Sequence, residues 1–172
     1  KNIFAIGDVN GLSPFTHSAN YQAGIVFMNT TLKFPTKGNL NRIGWTIFTD
    51  PELASIGLNE TEAQKKGLTY KVAKMEFKDN DRAKTENATN GFIKVIISPK
   101  NKILGCQIIG PNAGEMIREY QLAMDHNISF KSIAQSTFIY PTFGEISKWN
   151  SGLFYAPQLF QPLVKKIVQL IR

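Results

Sequence analysis

The chain has 172 residues, which is enough for about one folded domain with its own core. It carries 20 Lys and Arg against 13 Asp and Glu, giving a net charge of +7, but the basic residues are scattered and no nucleic-acid-binding motif accompanies them. No apolar run approaches the roughly 18 residues of a membrane-spanning helix, and one cysteine excludes an internal disulfide framework. We therefore expect a cytoplasmic protein that does not bind nucleic acid.

The first forty residues predict a strand, a helix and a linker. Residues 2–6 form a short apolar run that Gly7-Asp8 ends, a pattern typical of a buried strand leading into a loop. From Ala19 to Leu32 apolar residues recur at helical spacing. The segment from Phe34 to Asn41 is rich in Pro, Gly and Asn, and it predicts a boundary between two structural units. Because the chain starts without Met inside the predicted strand, we expect it to be a piece of a longer protein.

The following residues predict a capped helix and a series of strands. Asn59 and Glu62 match a capping box, and Gly67 is suited to end that helix. Residues 69–77 have the composition of a strand, and residues 91–98 and 103–110 predict a hairpin around a Pro-Lys-Asn-Lys turn.

A second helix is expected after the hairpin, capped by Asn112 through Glu115. Its apolar face would comprise Ala113, Met116, Ile117, Tyr120 and Met124. The order of elements predicts an α+β fold in which an antiparallel sheet is flanked by helices.

The end of the chain predicts an amphipathic helix. The basic and polar residues of this segment lie away from its apolar residues on the helix. Six residues form the apolar face: Phe160, Leu163, Val164, Ile167, Val168 and Ile171. Such a helix more often covers a core or a subunit contact, which is the interpretation we favour. The alternative is that residues 157–172 lie on an anionic membrane.

Four sequence blocks, in order, resemble the pyridine nucleotide–disulfide oxidoreductases, a family that includes dihydrolipoamide dehydrogenase, glutathione reductase and mercuric reductase. They are IFAIGDVNG (3–11), FTDPELASIGLNETEAQKKG (48–67), the stretch from Asp81 to Ile117, and YPTFGE (140–145). The first is similar to the family's second FAD fingerprint and the second to the opening of its dimerisation domain. The resemblance covers nearly all of residues 3–145.

The resemblance implies a division of the chain, two cofactors and a partner. Residues 1–37 would be the end of an FAD-binding domain, residues 38–150 a dimerisation domain and residues 151–172 a helical extension. The full-length protein would use FAD and NAD(P)H as a homodimer. Gly7 and Asp8 would contact FAD, with the Asp8 carboxylate accepting from the ribityl chain, and Phe15, Thr16 and His17 would lie near the flavin.

The block at residues 140–145 bears on catalysis. In many relatives its first residue is a histidine that relays protons to thiols of the partner subunit, oriented by the glutamate at its end. Here Tyr140 and Glu145 occupy these positions, and a phenol, titrating near ~10, is a poor base at neutral pH. Mercuric reductases also carry tyrosine here, although they usually end in a cysteine pair that this chain lacks.

Several alternatives stay open at this level. A mercuric-reductase-like flavoenzyme fits the tyrosine best, with a dihydrolipoamide dehydrogenase variant, an FAD-linked quinone or metal reductase, and a non-catalytic dimerisation module as alternatives. The chain alone is expected to be inactive. Cys106 lies in an apolar strand and is interpreted as a buried thiol, and neither His17 nor His126 has partners spaced for a metal site, so we expect no resident metal.

Overall fold

A computed structural model describes residues 3–171; in the last helix it leaves out the side chains at 163–166 and 168. Its centre is a five-stranded antiparallel sheet in the order β1-β2-β5-β4-β3. The strands are β1 (Trp45–Ile47), β2 (Glu52–Gly57), β3 (Lys71–Glu76), β4 (Phe92–Ile97) and β5 (Ile103–Gly110). With its flanking helices the sheet confirms the predicted α+β fold.

Seven α-helices are described within residues 3–171. In chain order they are α1 (Thr16–Thr30), α2 (Glu60–Lys65), α3 (Asp81–Thr85), α4 (Ala113–Asp125), α5 (Phe130–Gln135), α6 (Glu145–Leu159) and α7 (Pro162–Ile171). Short 3-10 turns occupy Gly7–Asn10, Leu40–Arg42 and Phe77–Asp79. None of the described helices combines the length and apolar character that crossing a bilayer requires.

The predicted capping box is confirmed at the start of α2. The Asn59 side chain accepts from the Glu62 amide at 2.9 Å, and the Glu62 carboxylate accepts from the Asn59 amide at the same distance. At the other end Gly67 has a φ of 63°, and the amides of Gly67 and Leu68 donate to the carbonyls of Gln64 and Ala63. This pair of bonds is a Schellman ending, which a residue without Cβ makes easy.

The predicted cap of α4 is wrong. Asn112 adopts a left-handed conformation with φ 56°, and its side chain makes no capping bond. Glu52, at the start of β2, instead accepts from the Gly114 amide at 2.9 Å. A carboxylate at a helix N-terminus is favourable, and this long-range partner could not be found from local spacing. The predicted face of α4 is confirmed, since all five of its apolar residues are buried.

The predicted strand at residues 2–6 is also wrong. Residues 3–6 have no regular structure and their side chains are exposed, while Asn2 lies outside the described residues. A strand needs a neighbour to satisfy its backbone, and the described sheet begins only at Trp45. The helix expected from Ala19 onward is confirmed as α1, but its buried residues are the polar Ser18 and Gln22.

The hydrophobic core lies between one face of the sheet and helices α4, α5 and α6. Its side chains extend from Ala54 to Tyr155, and its larger buried members include Phe77, Tyr120 and Phe130. Cys106 is fully buried within it, which confirms its interpretation as a core thiol, and burial raises its pKa well above the ordinary value. His126, at the end of α4, is exposed.

Two features at the C-terminus bear on the predicted division of the chain. Helix α6 runs without interruption through the boundary expected at residues 150–151, and α7 confirms that the terminal segment is helical. Leu163, Val164 and Val168 of the predicted apolar face lie outside the described side chains. Ile167 and Ile171 are exposed. The division itself stays a prediction.

Candidate functional site

The segment of residues 140–145 is anchored to the hydrophobic core on one side and exposed to solvent on the other. Phe143 is buried and packs edge-on against Phe77, with the ring centroids 6.4 Å apart. Asn80, which is almost fully buried, donates from Nδ2 to the Thr142 carbonyl at 3.1 Å and accepts from the Ala83 amide at 3.0 Å. Together these contacts fix the segment to the core while the Tyr140 side chain, 65% exposed, projects outward.

Tyr140 and Glu145 line one cleft but do not bond to each other. The cleft has a volume of about 340 Å³ and is also lined by Met75, Asp79, Asp81 and Trp149. The Tyr140 hydroxyl donates to Asp81 at 3.3 Å, and the Glu145 carboxylate accepts from the Trp149 indole N–H at 3.1 Å. Glu145 is 8% exposed, so its carboxylate is buried beside the indole of a residue one turn further along α6.

The two segments that bring Tyr140 and Trp149 to this cleft carry four exposed apolar side chains. Ile139, Tyr140, Trp149 and Leu153 are all about half exposed or more, and we call these four residues the 139–153 face. Large exposed apolar side chains in one area mark an interaction surface. Sequence reasoning identified Tyr140 in this area but missed Trp149, whose spacing of four residues from Glu145 on a helix was the available signal.

A second cleft collects three of the predicted cofactor residues. Phe15, Thr16 and His17 line a space of about 430 Å³ together with residues of β1 and α4. Phe15 stacks on Trp45 with centroids 6.3 Å apart, and the His17 Nε2–H donates to the Gly44 carbonyl at 2.7 Å. These contacts join the start of α1 to the sheet domain.

Gly7 and Asp8 lie elsewhere, on the 3-10 turn that packs against α1. The Gly7 amide donates to Gln22 at 2.9 Å, and a Cβ at Gly7 would come within 3.1 Å of Ala19. The Asp8 side chain is exposed, with no hydrogen-bond partner among residues 3–171. The structure thus places Asp8 outside the cleft formed by Phe15, Thr16 and His17, and its role toward a cofactor stays a prediction.

The residues present fit part of an FAD site. The Asp8 carboxylate is free to accept from hydroxyl groups, and α1 begins without a side-chain cap, so its first amides are free to donate to a ligand carbonyl. Within residues 3–171 no three His, Cys, Asp or Glu side chains converge to hold a metal ion.

A buried polar contact between α4 and α6 lies close in sequence to Glu145. Glu119 approaches Ser147, two residues beyond Glu145, and burial raises the pKa of the Glu119 carboxyl to about 7. Glu119 Oε1, the Tyr120 hydroxyl and Ser147 Oγ find no hydrogen-bond partner in the described part of the chain. No local pattern indicated this contact, because Glu119 resembles any carboxylate on a helix surface.

The wild-type protein is expected to lose stability as the pH rises, and replacing Glu119 by glutamine should abolish this loss. Its pKa is higher in the folded protein than the ~4.3 of an unfolded chain, so the folded state holds the extra proton between these values. The free energy of unfolding therefore falls as pH rises from about 4.5 to about 7, by about 3 kcal/mol. Urea unfolding at about pH 5 and about pH 8 should show this difference in the wild type and not in Glu119→Gln.

The matched control is Glu115→Gln, which changes an exposed carboxylate on the same helix. It should leave the pH dependence as it is in the wild type. An unchanged pH dependence in Glu119→Gln would contradict the assignment.

Comparison with known proteins identifies the domain. Residues 43–151, more than half of the chain, match the family described as "Pyridine nucleotide-disulphide oxidoreductase, dimerisation domain". The chain belongs to the pyridine nucleotide-disulphide oxidoreductase family. This confirms the resemblance expected from the four sequence blocks, and it accounts for the five-stranded sheet with its flanking helices.

Several dihydrolipoyl dehydrogenases are among the curated relatives of this chain. The enzyme from Geobacillus stearothermophilus is 38% identical over 147 residues, covering 85% of this chain and 31% of the relative. The mitochondrial enzyme from Caenorhabditis elegans is 38% identical over 145 residues, covering 84% and 29%. The chain thus spans about a third of the length of these oxidoreductases.

Solved structures of the same family share the fold. LpdA from Mycobacterium tuberculosis superposes with a TM-score of 0.80 at 25% identity, covering 88% of this chain and 33% of that one. The Cu(II) complex of RclA, an HOCl-induced flavoprotein disulfide reductase from Escherichia coli, gives a TM-score of 0.79 at 26% identity, covering 88% and 35%.

Proposed function

We propose that the full-length protein is a homodimeric, FAD-dependent NAD(P)H oxidoreductase that reduces a metal ion, similar to mercuric reductases. The observation that carries the proposal is the position of Tyr140. Its side chain is exposed on the 139–153 face and bonded to Asp81, while the buried Glu145 is bonded to Trp149. This arrangement offers a hydroxyl to a ligand in place of the base that thiol chemistry at neutral pH uses.

The homodimer is supported by the match to a dimerisation domain and by the apolar 139–153 face. We propose that this face contacts the second subunit and that Tyr140 thereby reaches the partner's reaction site. Phe143 and Asn80 hold the segment in place, so Tyr140 would be oriented before an acceptor binds.

FAD would supply electron transfer from NAD(P)H to the acceptor. Asp8 would hold the cofactor's hydroxyl groups, and the amides at the start of α1 would donate to its carbonyl oxygens. Phe15 and His17 would keep α1 docked on the sheet domain. The chain itself would carry no turnover, and the protein would act in the cytoplasm.

A dihydrolipoamide dehydrogenase variant is the second candidate. It is favoured by the names of relatives 35–38% identical to this chain. The similarity to RclA, which was solved as a Cu(II) complex, favours a copper ion as a further electron acceptor for the first candidate, the metal-ion reductase. A dimerisation module without catalysis would require a full-length protein that binds no flavin.

The test is an acceptor comparison on the full-length FAD-loaded protein. We expect NAD(P)H oxidation with Hg(II) or Cu(II) to exceed that with lipoamide about a hundredfold, the usual contribution of a general base. The 172-residue chain serves as the control: it should form a dimer in light scattering and oxidise no NAD(P)H. Faster turnover of lipoamide than of either metal ion would contradict the proposal.

A further inference from the structure

The charge of the chain is concentrated at its C-terminal end. The last acidic residue is Glu145, and the 27 residues after it contain Lys148, Lys165, Lys166 and Arg172. These residues carry +4 of the net charge of +7, although they form less than a sixth of the sequence. The remaining 16 basic residues are mixed with all 13 acidic ones.

The same segment exposes large apolar side chains. Leu159 and Phe160 at the end of α6, and Ile167, Leu170 and Ile171 on α7, are between 46% and 85% exposed. By sequence spacing the lysines fall on the opposite side of α7 from most of its apolar residues. Pro162 starts α7, where a missing amide costs no hydrogen bond.

This segment lies beyond the matched domain. The dimerisation-domain match ends at residue 151, before the second half of α6 and the whole of α7. An apolar face opposite a basic face is typical of a helix that lies in the plane of a membrane surface.

We propose that residues 159–172 bind the surface of an anionic phospholipid bilayer, with the apolar side chains of α7 inserted at the level of the headgroups. Negative headgroups complement a segment with only positive charges. A second copy of this segment could cover the apolar face, but it would offer no negative charge to the basic residues. The proposal is independent of the reaction that the full-length protein catalyses.

The experiment is co-sedimentation of the 172-residue chain with phospholipid vesicles. We expect the chain to bind phosphatidylcholine vesicles that contain phosphatidylglycerol, and to bind vesicles of phosphatidylcholine alone much less. The double variant Leu170→Asp/Ile171→Asp should bind at least about tenfold less, since it places charge on the inserted face. Lys165→Gln/Lys166→Gln should weaken binding and its dependence on salt.

Val9→Asp is the matched control, because Val9 is an equally exposed apolar residue distant in sequence. It adds the same kind of charge and should bind as the wild type does. The proposal is overturned if anionic vesicles fail to bind the chain, if Leu170→Asp/Ile171→Asp binds normally, or if Val9→Asp loses binding equally. A lower molar mass of the Leu170→Asp/Ile171→Asp variant in light scattering, without vesicle binding by the wild type, would assign the helix to a contact between copies.

Discussion

Replacing Tyr140 by phenylalanine in the full-length protein is expected to lower kcat/KM for Hg(II) or Cu(II) reduction about a hundredfold. The change removes one oxygen and keeps the ring. Because Tyr140 is 65% exposed and its hydroxyl bonds, within the described part of the chain, only to the exposed Asp81, the fold should be unaffected. Stopped-flow measurement should show FAD reduction by NAD(P)H at the normal rate and slow reoxidation by the metal ion.

The matched control is Tyr70→Phe. The Tyr70 hydroxyl accepts from Gln64 in an exposed contact, so its loss should alter neither step. Tyr140→His discriminates the second candidate, since a histidine in this cleft would supply a base that titrates near neutral pH. If Tyr140→Phe reduces metal ions normally and Tyr140→His raises dihydrolipoamide oxidation about a hundredfold, the parent is a dihydrolipoamide dehydrogenase variant.

Replacing Gly105 by alanine is expected to destabilise the fold by about 3 kcal/mol or more. A Cβ on Gly105 in β5 would lie 2.1 Å from the Leu58 carbonyl oxygen and 2.4 Å from the Leu58 nitrogen. These are backbone atoms held in place by the Leu58 amide, which donates to the Leu104 carbonyl at 2.9 Å. The chain must therefore move away from the sheet, and calorimetry should show Tm lowered by about 10 °C.

Gly152→Ala provides the opposite case. Gly152 lies in α6, and a Cβ there would meet nothing within 4 Å. Alanine in a helix interior is favoured over glycine by about 0.5–1 kcal/mol, so this variant should melt at or above the wild-type temperature. Equal Tm values for the two variants would show that the close approach of Leu58 to Gly105 does not exclude a side chain at residue 105.

The fold was largely predictable because its signals are local. The Asn59–Glu62 capping box, the Gly67 ending and the hairpin of residues 91–110 each depend on residues close in sequence, and all three are present. The failures have a common physical cause. A strand at residues 3–6 would need a partner strand, and the cap of α4 comes from Glu52, 62 positions away from Gly114.

The candidate site was predictable in part for the same reason. The sequence indicated Tyr140 and Glu145, and the structure brings both to one cleft. The Trp149 contact with Glu145 and the Asn80 contact with Thr142 depend on how α6 and α3 pack. The raised pKa of Glu119 depends on burial against α6, which local spacing does not report.

The extent of the hydrophobic core has a consequence for folding. The core closes between Ala54 and Tyr155 and, among the described residues, takes no side chain from α1. The sheet and the helices packed on it should therefore fold as an autonomous unit, whether or not the residues of α1 are present.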